Sequence, residues 1–308
     1  MIDYLDPDVA YLLGLIVARG IIQLEGTLKT IMIAFPYKNL EVEGINTVIN
    51  QRDKLLISLD KIVDRIRELT DADVRKVEGE SEVNLIIQTH KETMFIRNIR
   101  KLLRNRTNYY EFEIPPEIFE VESEDIKKEF MRGYADVAGS ARKSNRDKQG
   151  RHRVYLDVLN RNWKLPIQIC HLLQDHLGIP VNTIAYGHPN IRDPKLEEYN
   201  KGRRNAWARE HQIKIYADEF TKIGFYLEHK QRILEELADE NKKRGFTRHN
   251  FCDPCKPVRY RLKPLHPEEN SDLLPPEIRG KHFDNFRQIC IALGCVRFKV
   301  CQGSLKIT

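Results

Sequence analysis

Residues 12–20 read Leu12-Leu-Gly-Leu-Ile-Val-Ala-Arg-Gly20, and residues 131–139 read Met131-Arg-Gly-Tyr-Ala-Asp-Val-Ala-Gly139. Both stretches have a glycine at the third place and a glycine at the end, and both sit where a helix is able to start. Asp6-Pro7 ahead of the first supplies an N-cap and a first-turn proline. Ser123-Glu124-Asp125 ahead of the second supplies a cap and an acidic first turn. In the first copy Ala10, Leu12, Leu13, Leu15, Ile16, Val17 and Ala18 leave almost no polar face. A helix that apolar has to be buried against another helix. Gly14, Ala18, Gly133 and Ala135 are the small residues that let two such backbones approach closely.

The order of elements after each stretch is also repeated. After the first, alternation predicts strands over 21–24 and 27–35 joined at Glu25-Gly26, an amphipathic helix over 55–69, strands over 74–77 and 83–89, and a helix over 91–103. After the second come a basic loop, a strand over 153–158 and an amphipathic helix over 163–177 stopped by Gly178-Ile-Pro180. Strands over 181–186 and 212–215 and helices over 217–224 and 227–238 complete the second half. The repeat is domain-sized, with units at 1–110 and 111–245 and a short linker, Glu111 to Phe119, carrying a Pro-Pro stop. Beyond residue 245 prolines and cysteines accumulate, marking a small third module over 246–308.

The two nonapeptides at this spacing, each leading into the same succession of elements, resemble the LAGLIDADG motif of homing endonucleases, over roughly residues 8–240. The resemblance implies an α+β fold of pseudo-two-fold tandem LAGLIDADG repeats, with antiparallel saddle-shaped sheets that straddle a DNA duplex and a small Cys-rich C-terminal module appended. It also implies where the chemistry would lie. In that family the next-to-last motif position carries an acid, and one acid from each copy holds divalent metal between the scissile phosphates. Here those positions are Arg19 and Ala138. The catalytic residues are therefore unknown, with Asp136 and Glu25 the surviving acids, and Asp147 and Asp157 further ones that would have to move in. Mg would be a cofactor only if the chain is catalytically active.

Charge points the same way. Between residues 140 and 214 there are 15 Lys/Arg against 7 Asp/Glu, whereas residues 41–129 carry 15 against 20, so the positive charge is concentrated in one region, as on a surface that meets a polyanion. The candidate DNA-binding residues are Arg142, Lys143, Asn145, Arg146, Lys148, Arg151 and Arg153, in the loop after the second motif, with Arg203 and Arg204 in a second basic stretch. Cations there neutralise phosphates, and the interleaved polar side chains reach base edges. Three functions stay open: sequence-selective double-stranded DNA binding without cleavage at the family site, an active endonuclease with relocated acids, and a splicing cofactor that binds structured intron RNA. The first suits a regulator or an intron- or intein-associated protein.

Five of the six cysteines lie in the last module. Cys252 and Cys255 form a CxxC knuckle which, with Cys290 and Cys295, offers a structural zinc site, the competing expectation being buried thiols. Cys170, in an apolar helix face, reads as core. No apolar run reaches membrane-spanning length and the start lacks a signal pattern, so the sequence predicts a protein of the cytoplasm, nucleoid or organelle matrix with no membrane partner, and the resemblance, with both repeats in one chain, implies a monomer.

Overall fold

The computed structural model describes residues 4–90, 93–144, 151–159, 162, 164–189, 209–244 and 292. The first half runs α1 (Pro7–Arg19), β1 (Gly20–Gln23), β2 (Lys29–Pro36), α2 (Tyr37–Leu40), β3 (Val42–Glu43), β4 (Val48–Ile49), α3 (Arg52–Ser58), α4 (Asp60–Leu69), β5 (Asp73–Glu78), β6 (Glu82–Thr89) and α5 (Met94–Leu102). The second runs α6 (Pro116–Glu120), α7 (Glu124–Ala138), β7 (Gly139–Arg142), β8 (Arg153–Leu159), α8 (Leu165–His171), β9 (Thr183–Pro189), β10 (Arg209–Tyr216), α9 (Ala217–Phe220) and α10 (Glu228–Lys243). One compact unit takes Met1–Leu156 and Ile215–His249, and a second includes Asp157–Lys214. These units do not follow the repeat boundaries at 110 and 245, because the two motif helices, one from each repeat, share a single core.

That core is built on α1 and α7. Asp6 caps α1 by accepting the Val9 N–H at 2.8 Å, and Ser123 caps α7 by accepting the Ile126 N–H. Every residue of α1 from Val9 to Ala18 is buried, which agrees with the all-round apolar pattern. The contact between the helices is reciprocal. A Cβ on Gly14 would lie 2.1 Å from the Phe130 carbonyl oxygen and 2.7 Å from the Tyr134 nitrogen. A Cβ on Gly133 would lie 2.1 Å from the Tyr11 carbonyl oxygen and 3.2 Å from the Leu15 nitrogen. Position for position these are the same contacts with the helices exchanged, which is the mark of an isologous, two-fold pairing.

Both helices end in one conformation, at Gly20 (φ −91°, ψ 149°) and Gly139 (φ −91°, ψ 148°). Any residue adopts that backbone, so these glycines are not needed for a left-handed turn. They are needed for room: a Cβ would sit 2.6 Å from the Ile16 oxygen at Gly20 and 2.4 Å from the Ala135 oxygen at Gly139.

The chain passes from each helix end directly into a sheet. The first is antiparallel in the order β1-β2-β6-β5. Its alternation holds along most of both strands: Ile31, Ile33, Phe35, Val83, Leu85 and Ile87 are buried, while Thr30, Met32, Ala34, Glu82, Asn84, Ile86 and Gln88 are half-exposed. Residues 107–109 lie along the outer edge of β1, where Ile22 N–H donates to the Thr107 oxygen at 2.8 Å and Tyr109 N–H to the Gly20 oxygen at 3.0 Å. In the second sheet β3 pairs antiparallel with β4 and parallel with β7, and β7 pairs antiparallel with β8. A short piece of the first repeat therefore completes the sheet of the second.

The helix expected over 55–69 is broken at Leu59, which ends α3 and opens α4. The apolar face survives the break, since Leu55, Leu59, Ile62, Val63 and Ile66 are all buried. Arg65 of α4 stacks on the Tyr11 ring at 4.0 Å and pairs with Asp8 of α1 and Glu129 of α7, which fastens α4 to both motif helices. In the second unit α8 carries the buried Ile167, Ile169 and Cys170, and β9 pairs antiparallel with β10. No helix among the described residues is long and apolar enough to cross a membrane.

Candidate nucleic-acid interface

The two helix ends are where the family's acids would stand. At the first, Arg19 is half-buried beside Tyr109. Burial and a hydrogen bond with Tyr110 push the Tyr109 phenol above its usual range, and the nearby Arg19 charge opposes the rise. At the second, Ala138 is fully buried, and its carbonyl accepts from Asn39 Nδ2 at 2.7 Å. The end of α7 is further held by Lys230 of α10, whose buried ammonium donates to the backbone oxygens of Asp136 at 2.7 Å and Gly139 at 2.8 Å. A cation at a helix C-terminus is favourably placed against the helix dipole.

The structure puts the surviving acids elsewhere. Asp136 is fully buried: it accepts from the Tyr11 hydroxyl at 2.7 Å and from the backbone N–H groups of Tyr226 at 3.2 Å and Leu227 at 3.3 Å. Burial raises its carboxyl above the ordinary aspartate value, with the Lys230 charge pulling the other way. Its contacts join α1, α7 and the start of α10, so it is an anchor inside the helix pair. Glu25 is exposed in the β1–β2 turn, away from the helix end. Asp157, in the second unit, is buried and accepts from Gln212 Nε2 at 3.0 Å. Asp147 lies outside the described residues. Among the described residues no group of three or more His, Cys, Asp or Glu is arranged to hold a metal ion.

Each helix end opens onto the partly exposed face of a sheet, and the two faces differ. On the first sheet the register aligns Ile21, Met32, Ile86 and Arg75 in one row and Gln23, Thr30, Gln88 and Asp73 in the next. Gln88 Nε2 donates to Thr30 Oγ1 at 3.1 Å and Arg75 donates to Gln88 Oε1 at 2.8 Å, so this face presents a mostly neutral, oriented row of amide and hydroxyl groups. On the second sheet Ser140, Arg142, Arg153 and Tyr155 share one face, opposite the buried Gly139, Ala141, Val154 and Leu156. Arg142 lies over the Tyr155 ring at 5.5 Å and Arg153 over the Tyr216 ring at 5.3 Å. Aromatic rings hold the two guanidinium groups at the sheet surface.

Of the candidate DNA-binding residues, Arg142 and Arg153 are half-exposed and Lys143 is exposed. Arg151 departs from the expectation. It is 1% exposed, pairs with Asp218 at 2.7 Å and stacks on the Tyr216 ring at 3.6 Å. The physical reason is its partner: Asp218 is held in turn by Asn241 Nδ2 at 2.7 Å, and this buried network draws the arginine inward. Asn145, Arg146, Lys148, Arg203 and Arg204, together with Cys252, Cys255, Cys290 and Cys295, lie outside the described residues. Sequence reading missed the row of Thr30, Gln88 and Arg75 and the aromatic supports Tyr155 and Tyr216. The alternating pattern of β2, β6 and β8 was the available signal.

No family model and no curated protein matches the chain. Solved structures to which it is similar include mesophilic variants of the homing endonuclease I-DmoI, at 17% identity over 73% of this chain and 95% of that one, with a TM-score of 0.36. The N-terminal LAGLIDADG domain of DUF199/WhiA is 12% identical over 79% of this chain and 83% of that one, with a TM-score of 0.36. The homing endonuclease I-WcaI, bound to its DNA recognition sequence, is 9% identical over 77% and 83%, with a TM-score of 0.38.

Proposed function

We propose that this chain is a sequence-selective double-stranded DNA-binding protein that holds the duplex against the two sheet faces leaving the α1–α7 pair and does not cut it at the helix ends. The observation that carries this reading is the pairing itself. Two reciprocal helices end in identical backbone turns and deliver two sheet faces, one polar and neutral, the other basic. Such a division suits a duplex, whose base edges are read by amides and hydroxyls and whose phosphates are met by arginine. Arg19 and Ala138 stand where hydrolysis by paired metal ions would require carboxylates. An arginine there is suited to a phosphate oxygen instead.

The test is to incubate the protein with a randomised duplex library, with and without Mg²⁺ or Mn²⁺, and to score bound and cut molecules separately. Selective retention of a sequence subset with no cleavage is the expected result. Metal-dependent cutting would mean that other carboxylates have rebuilt a site, and equal retention of all sequences would remove the selectivity.

A further inference from the structure

Helix α8 runs into a π turn, Leu172–His176, in which Leu177 N–H donates to the Leu172 oxygen at 3.1 Å. The consequence falls on two histidines five residues apart. On a regular α-helix such residues point about 140° away from each other. A π turn closes its hydrogen bonds from i to i+5 and brings them onto one side. The rings of His171 and His176 accordingly stand 5.0 Å centre to centre, with their planes at 83°. Two imidazoles on one tetrahedral ion, with metal–nitrogen distances of about 2.0–2.1 Å, hold their ring centres roughly 5 Å apart.

Asp175 supplies an independent observation. Its Oδ2 lies 2.5 Å from His171 Nδ1. A carboxylate at Nδ1 fixes the proton there, sets the ring plane and makes Nε2 the basic nitrogen, which is how metal-binding histidines are commonly oriented. The His171 and Asp175 side chains are 38% and 26% exposed, so an ion reaches them from solvent, while Leu172 and Leu173 anchor the same turn in the core.

We propose that His171 and His176 form a two-nitrogen site for a divalent transition ion of the zinc, nickel and copper class, with Asp175 as the positioning residue of His171. Imidazole suits this class and not calcium or magnesium, which take oxygen ligands. The remaining coordination positions belong to water or to a donor from a partner. The site stands apart from the nucleic-acid reading and does not depend on it.

Calorimetric titration of the full-length chain with Zn²⁺ alone tests the proposal, alongside His171→Ala, His176→Ala and Asp175→Asn. All four proteins keep the cysteines of the last module, so any zinc taken there cancels in the comparison. The wild type should bind one equivalent more than either histidine variant, with circular dichroism and melting temperature unchanged among the four. Asp175→Asn should keep that equivalent and weaken it about ten- to a hundredfold. Equal stoichiometry and affinity in the wild type and both histidine variants would overturn the site.

Discussion

At the scale of single residues, Gly14 and Gly133 set the distance between the two helices. An added methyl meets a backbone oxygen at 2.1 Å at either site, and no rotamer change relieves a clash with backbone. Gly14→Ala and Gly133→Ala should each cost about 3 kcal/mol or more, the upper end for overpacking, in denaturant unfolding monitored by circular dichroism. Gly26→Ala is the control: its φ of +83° is strained for alanine, but nothing lies within 4 Å of the new methyl. It should lose only about 1 kcal/mol. Near-equal losses at positions 14 and 26 would mean the helices have slack. His229 makes a second prediction. Its Nε2 lies 2.8 Å from the Leu40 oxygen, and burial, with Lys230 and Arg232 beside it, depresses its pKa from 6.5 to about 4. The unfolded chain takes up a proton below pH 6.5 and the folded one only near 4. Stability is therefore full above 6.5 and lost as pH falls towards 4, by about 2–3 kcal/mol. His229→Gln should flatten that part of the stability–pH curve, measured by urea midpoints at pH 7 and 4.5; an unchanged slope would assign the acid sensitivity to other groups.

At the scale of elements, strands β7 and β8 sort the arginines into two kinds. Arg142 and Arg153 share the open face, whereas Arg151, just ahead of β8, is inside against Asp218. Arg142→Ala and Arg153→Ala should each weaken DNA binding and reduce the slope of log K against log salt by about 0.9, the share of one phosphate contact. Arg151→Ala should leave the salt slope alone and lower the melting temperature, because Asp218 is left partly buried without its cation. The opposite pattern would put Arg151 on the duplex and Arg142 in the fold. Nothing in the run Arg151-His-Arg153 distinguishes the two cations, since the deciding partner is Asp218, 67 residues away. The same limit explains β3 and β4. Two-residue strands have no period to read, and theirs exist because β3 pairs with β7 and because Glu236 accepts the backbone N–H groups of Ile45 and Asn46. By contrast α1, β2 and β6 were legible, because each is long enough for its own pattern to state which face is buried. That Arg19 and Ala138 close the two motif helices was legible, but the polar row on the first sheet became visible only once the register was known.

At the scale of the whole molecule, the repeats in the sequence and the compact units in space are different divisions. The first unit combines one motif helix from each repeat, so each motif helix is buried in part against the other repeat's. Residues 1–110 expressed alone would carry an α1 whose buried stretch, Val9–Ala18, has lost its partner. The reciprocity of the contact says what should replace it. Phe130 and Tyr134 meet Gly14 as Tyr11 and Leu15 meet Gly133, so a second copy of α1 presents Tyr11 and Leu15 to Gly14 in the same geometry. The fragment should therefore form a two-fold dimer, seen by sedimentation equilibrium, and Gly14→Ala within it should break the dimer, because both copies then carry the clash. Addition of residues 111–308 should compete and give a one-to-one complex, since α7 brings the native aromatic pair and Asp136, which receives the Tyr11 hydroxyl at 2.7 Å. A fragment that stays monomeric and unfolds cooperatively would show that the first repeat holds a core of its own. The pseudo-two-fold pairing would then be a docking of finished halves rather than the step that completes them.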